Sequence, residues 1–293
     1  MSSTTRRSDL IRSRLERFTR MLPGVESGEI GAVHRTRIAA RRLRELLPIL
    51  QLDPCDVRKL NRRLRKVTKR LGTVRELDVL TQLIEDLQES RRFPPRALAR
   101  VASDVRQARD GVRSRRKSVG ADLKRAARKL QAVADRLHDD EPRSHAWQWA
   151  IDARVARRAN RLREAIKDAG AMYQPERLHA VRLAAKKLRY GVELAVEASG
   201  LRDSPDLRVL KRAQQLLGRL RDLQVLAERV RSVQASLAPT DQTAWRDLDE
   251  LMTPLEHSCR QVHARYVKDR AILTALCDRL GARATAAAAR RAG

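Results

Sequence analysis

The chain has 293 residues, 42% hydrophobic and 34% charged, with 64 Lys and Arg against 36 Asp and Glu, for a net charge of +28. That is enough apolar material for a folded core, but no window approaches the roughly 18 uncharged apolar residues of a membrane span. Three scattered cysteines make no disulfide framework, and the charge excess favours a polyanionic partner: nucleic acid, an anionic surface or an inorganic polymer.

The N-terminal stretch MSSTTRRSDLIRSRLERF lacks the apolar core of a signal peptide, so a reducing cytoplasm is the expected compartment. Leu, Ala, Arg, Glu, Gln and Lys dominate the segments between the ten prolines, and aromatic residues are only 3%. These are strong helix formers and strand signals are nearly absent, so the sequence predicts an all-α fold with long helices and short connections. After a leading helix comes VHRTRIAARRLREL, residues 33–46. At helical spacing, Ala39, Ala40, Leu43, Leu46, Leu47 and Leu50 share one face, and His34, Arg37, Arg41 and Arg44 share the opposite one. Residues 58–71 split in the same way, with Leu60, Leu64, Val67 and Leu71 opposite Arg62, Arg65, Lys66 and Lys69. This helix is expected to end at Gly72, and its later counterpart at Gly218, in a C-cap or tight bend. The polar stretch HDDEPRSH, 138–145, is expected to be a hinge between two halves.

The second half repeats the first. Residues 34–44 and 179–189 share six identities in eleven, and LRKVTKRLGTVRELDVL (64–80) aligns with LKRAQQLLGRLRDLQVL (210–226). Farther on, Cys259 and His263 share a helical face. Two ligands without a third read as packing residues rather than a metal site. The Ala-rich end, 282–293, is expected to be a frayed or disordered tail.

Enzyme signatures are missing: there is no phosphate-binding glycine loop, no nucleophile elbow and no paired-carboxylate cluster. A charged stripe is ordinarily a solvated face, but such faces mix signs. Residues 34–44 and 179–189 contain no acid at all. Like charges a helical turn apart destabilise a free helix, so two equivalent stripes point to an anion. Arg offers a planar fork for phosphate oxygens and Lys a point charge. Arg75 and Arg221 also repeat, but each precedes an acid, Glu76 and Asp222, so an internal ion pair is as good a reading as a ligand contact.

The doubled pattern H-x-x-R-[IL]-A-A-[RK]-[RK]-L-R, followed by L-G-x-[VL]-R-[ED]-L, resembles the CHAD family, the conserved histidine α-helical domain. The resemblance covers residues 8–281 as one domain, with halves of about 8–141 and 142–281. It implies two pseudo-symmetric antiparallel helical bundles with a central basic groove, and non-enzymatic binding of inorganic polyphosphate. It also implies cytoplasmic placement at polyphosphate granules. Some members carry a CYTH-type triphosphatase domain, whose E-x-E-x-K signature this sequence lacks, so a stand-alone module without catalysis or cofactor is expected. By the same resemblance, the binding positions fall on His34, Arg37, Arg41, Arg42 and Arg44, and on His179, Arg182, Lys186, Lys187, Arg189 and Tyr190. The next helix of each half supplies Arg62, Arg65, Lys66 and Lys69, and Arg208, Lys211, Arg212 and Arg219. Because Lys69 aligns with Gln215 and Arg70 with Leu216, the groove is expected to be more basic in the first half. His34 and His179, crowded by Arg, are expected to resist protonation until a polyanion arrives. A basic helical nucleic-acid-binding protein is the alternative. Few aromatics for base stacking and no DNA-binding motif stand against it.

Overall fold

Proline opens four of the long helices, where its fixed φ is pre-organised and its missing N–H would have had no intrahelical partner. In the computed structural model, which describes residues 6–113, 116–139, 146–201 and 203–292, the order is α1 (Arg7–Thr19), α2 (Leu22–Ser27), α3 (Ile30–Leu46), a 3-10 turn (Leu47–Ile49) and α4 (Pro54–Glu89). Then follow α5 (Pro95–Arg113), α6 (Arg116–Asp139), α7 (Ala146–Ala169), α8 (Pro175–Ala198), α9 (Pro205–Ala235) and α10 (Gln242–Ala292). No strand occurs among the described residues. Asp53 caps α4 by accepting from the amides of Cys55 and Asp56, and the Ser204 hydroxyl caps α9 through the Leu207 amide at 3.1 Å.

The apolar stripes lie where the periodicity puts them: Ala39, Ala40, Leu43, Leu46, Leu60, Leu64, Val67 and Leu71 are all buried. Helices α1, α3, α4 and α6 each pack on the next, and α6 returns to α1; α7, α8, α9 and α10 close in the same order. The two sets meet where α3 packs on α8, α4 on α9, and α5 on α9 and α10.

Two expectations about boundaries change. Gly72 and Gly218 lie inside α4 and α9, which run on for 17 residues beyond each. An interior glycine costs about 1 kcal/mol, and the continuing stripes of Val74 and Leu77, and of Leu220 and Leu223, outweigh it by burial. Pro254 sits within α10. The backbone of 282–292 continues α10 as helix, and alanine is the strongest helix former. Most of the expected hinge, residues 140–145, lies outside the described residues, between the end of α6 and the start of α7.

Candidate functional site

Where α3 meets α8, the Ala and Leu faces of both helices turn to their cores and the basic stripes turn toward each other. Between them, floored by α4 and α9, is a cavity of about 310 Å³. Arg37 and Arg41 of α3 and Arg75 of α4 line one side; Arg182 and Lys186 of α8 and Arg221 of α9 line the other. His179 completes the wall, and Glu76 and Asp222 are its two acids. Every one of these has its repeat partner at the same place in the other half: Arg37 with Arg182, Arg41 with Lys186, Arg75 with Arg221, Glu76 with Asp222. His179 pairs with His34, which lies close enough to feel the charges of Arg75, Arg37 and Lys186.

Gly72 explains how one guanidinium reaches its position. A Cβ there would lie 3.0 Å from Arg37 Nη1, and the missing side chain lets that group donate to the Thr68 carbonyl of α4. Burial first, then the neighbouring Arg41 and Arg75, hold Arg37 down to about 10. Arg182 is lowered for the same reasons, burial leading, although Asp222 opposes the shift. Lys186 is pushed furthest, down to about 7, by burial and then by Arg41, Arg182, Arg37 and Arg189. Both histidines are held below the ordinary imidazole range, with burial ahead of the arginines that the sequence reading named as the cause. Burial raises Asp222 against the pull of four arginines. His179 Nδ1 and the Nε group of Arg182 are buried without a hydrogen-bond partner. A cavity so lined stores positive charge and unsatisfied donors, both of which an anion relieves.

The other expected binding positions fall outside this wall. Arg42 points to the far side of α3 and bonds Glu193 at 3.1 Å. Arg44 is half-buried, next to Glu45 and within the field of Arg41 and Arg65, so it extends the basic surface along α3. Arg62, Arg65, Lys66 and Lys69 are exposed on α4, with Lys66 3.9 Å from Asp122 of α6. Lys187 is exposed. Arg189 bonds Glu193 at 2.8 Å and lies over the ring of the buried Tyr190. Arg208 pairs with Asp203, Arg212 with Asp269 and Arg219 with Asp86, while Lys211 is exposed.

Arg75 and Arg221 were undecided from sequence, and both line the cavity; Arg221 also bonds Glu228 at 2.9 Å. Their repetition within L-G-x-[VL]-R-[ED]-L was the available signal. A second cavity, of about 280 Å³, opens between α1 and α3, lined by Arg14, Arg17, Arg20, Arg35 and Arg42. All five arginines are bonded to carboxylates of Glu16, Glu29, Glu193 or Glu197, so it offers a ligand little uncompensated charge. Cys259 and His263 pack beside Tyr173 and Tyr266, and no group of three metal-ligating residues occurs among the described residues. No helix among them is long and apolar enough to cross a membrane.

The family description that matches the sequence is the CHAD domain, over residues 9–231. No curated protein matches the chain. Among solved structures, PptA from Streptomyces chartreusis is similar at a TM-score of 0.65 with 18% identity, covering 90% of this chain and 97% of that one. The CHAD domain from the plant Ricinus communis is similar at a TM-score of 0.57 with 21% identity, covering 93% and 89%. At these identities the two likenesses speak for the fold alone.

Proposed function

The chain belongs to the CHAD domain family, which is associated with polyphosphate binding, and from that premise we propose that it binds inorganic polyphosphate without catalysis. The observation that carries the reading is the cavity between α3 and α8, where six basic side chains and the His179 imidazole face two carboxylates. We take the two sets of four helices as pseudo-symmetric antiparallel bundles within one unit, 8–281, and the cavity as the deepest part of a basic groove between them. Arg44 and the exposed Arg65 prolong the groove along the first half. The remaining positions, Arg62, Lys66, Lys69, Lys187, Arg208, Lys211 and Arg212 among them, act as an outer field that gathers the polymer rather than gripping it. A flexible chain with a charge at every phosphate suits such a track, and its counterions are released on binding. Cytoplasmic placement at polyphosphate granules follows from the same reading.

Binding of end-labelled long-chain polyphosphate is expected to weaken linearly on a log–log plot as salt rises. An affinity indifferent to salt would overturn the proposal. Arg41→Gln and Arg182→Gln are each expected to lose roughly tenfold in affinity, the worth of one charge-assisted contact, while Arg212→Gln stays within about twofold. Displacement of the polymer by duplex DNA at equal charge concentration would favour the nucleic-acid reading instead. No phosphate release is expected from a metal-supplemented sample.

A further inference from the structure

We propose that Lys186 is an acylation site, whose amine takes the acyl group of an acyl phosphate held at its phosphoryl end by Arg37, Arg41 and Arg182. The inference rests on the cavity being a phosphate site and adds a chemical modification that would regulate it.

Lys186 sits in the cavity wall one helical turn after Arg182 and three residues before Arg189. Arg37 and Arg41, with His34, face it from α3; Arg75 and Glu76 from α4; Arg221 and Asp222 from α9; and His179 lies on its own helix. Four guanidiniums, those of Arg41, Arg182, Arg37 and Arg189, act on Lys186 after burial as the leading influences. Both wall acids are engaged elsewhere: Asp222 is in the field of Arg182, Arg219, Arg75 and Arg221, and Glu76 in that of Arg37. Crowding and burial therefore favour the uncharged amine, which alone has a lone pair to donate. An arginine in the same place would stay protonated, and exposed lysines such as Lys66, Lys69, Lys187 and Lys211 meet no comparable cluster.

The reaction balances without a further reagent. The Lys186 nitrogen attacks the acyl carbonyl carbon and a C–N bond forms. The bond from that carbon to the phosphate oxygen breaks, and its electron pair leaves with the phosphate. The amine proton goes to the departing phosphate, giving an amide and hydrogen phosphate, with nothing oxidised or reduced. Both the tetrahedral oxyanion and the leaving phosphate gain negative charge where the arginines stand, which lowers the barrier. The product has lost a cation from the centre of the cavity, so acylation weakens polyanion binding.

The test treats the protein at pH 7.5 with acetyl phosphate, or with the neutral N-hydroxysuccinimidyl acetate, and follows each lysine by peptide mass spectrometry. Lys186 is expected to react roughly tenfold faster than the exposed lysines with acetyl phosphate, because the arginines that line the cavity seat the phosphoryl group beside an amine that is more often uncharged at that pH. The preference is expected to be clearly smaller with the neutral ester. Equal rates at all lysines, or the same preference with both reagents, would overturn the inference. Long-chain polyphosphate is expected to protect Lys186 far more than the exposed lysines. Selective acetylation that polyphosphate fails to block would leave the acylation site standing and sink the polyphosphate reading.

Discussion

At the scale of single residues, the cavity is a place where like charges are held together by the packing around them. Lys186 carries most of that conflict, and its cost can be measured through pH. Its ammonium is shifted down to about 7 from an unfolded value of 10.5. Below pH 7 it is charged in both states, and the folded protein bears the full penalty. Between pH 7 and 10.5 the unfolded chain holds the proton better, so stability climbs with pH across that window. Lys186→Met is therefore expected to be more stable than the parent at pH 6, on the order of 2–3 kcal/mol once solvent in the open cavity is allowed for. The gain should shrink steadily toward pH 10.5. Denaturant midpoints at pH 6 and pH 10 check this; a pH-independent difference would mean that packing, not charge, sets the effect.

At the scale of elements, the two interior glycines separate a helix-propensity effect from a site effect. A Cβ at Gly218 would meet nothing within 4 Å, whereas one at Gly72 would press on Arg37. Gly218→Ala is expected to raise stability by about 0.5–1 kcal/mol through helix propensity alone. Gly72→Ala should gain less, and should also weaken polyphosphate binding by dislodging Arg37 from the Thr68 carbonyl. Thermal midpoints and binding curves on the two variants decide it. These helices also show what was readable beforehand. Burial of the stripes in α3 and α4 followed from period and apolarity. The path of α4 through Gly72 did not, because local sequence signals a cap there and only the buried residues downstream overrule it.

At the scale of the whole molecule, a chain with a net charge of +28 is held together partly by carboxylates placed between its two sets of helices. Glu45 of α3 takes Arg154 and Arg158 of α7, Glu193 takes Arg42 across the α3–α8 contact, and Glu197 of α8 accepts the buried Arg14 of α1 at 2.7 Å. Arg14 is 2% exposed, so removing its partner strands a charge. Glu197→Ala is expected to cost about 3 kcal/mol, while Arg14→Met combined with Glu197→Leu should recover most of it. Chemical denaturation of the single and double variants tests this, and additive losses would deny the pairing its role.

The sequence by itself determined the helical class, the repeat, the buried stripes and the basic stripes of α3 and α8, because each is written in residues three or four apart or in a register of about 145. Tertiary structure decided which cations share a cavity. Arg42 lies in the same short motif as Arg41, yet it turns to Glu193, 151 residues away in the chain. Arg75 and Arg221, equivocal as local ion pairs, join the wall because α4 and α9 pass beneath α3 and α8. The physical reason is range: helical periodicity fixes the face a side chain occupies, but the carboxylate or cavity it meets there comes from a helix that only packing brings near.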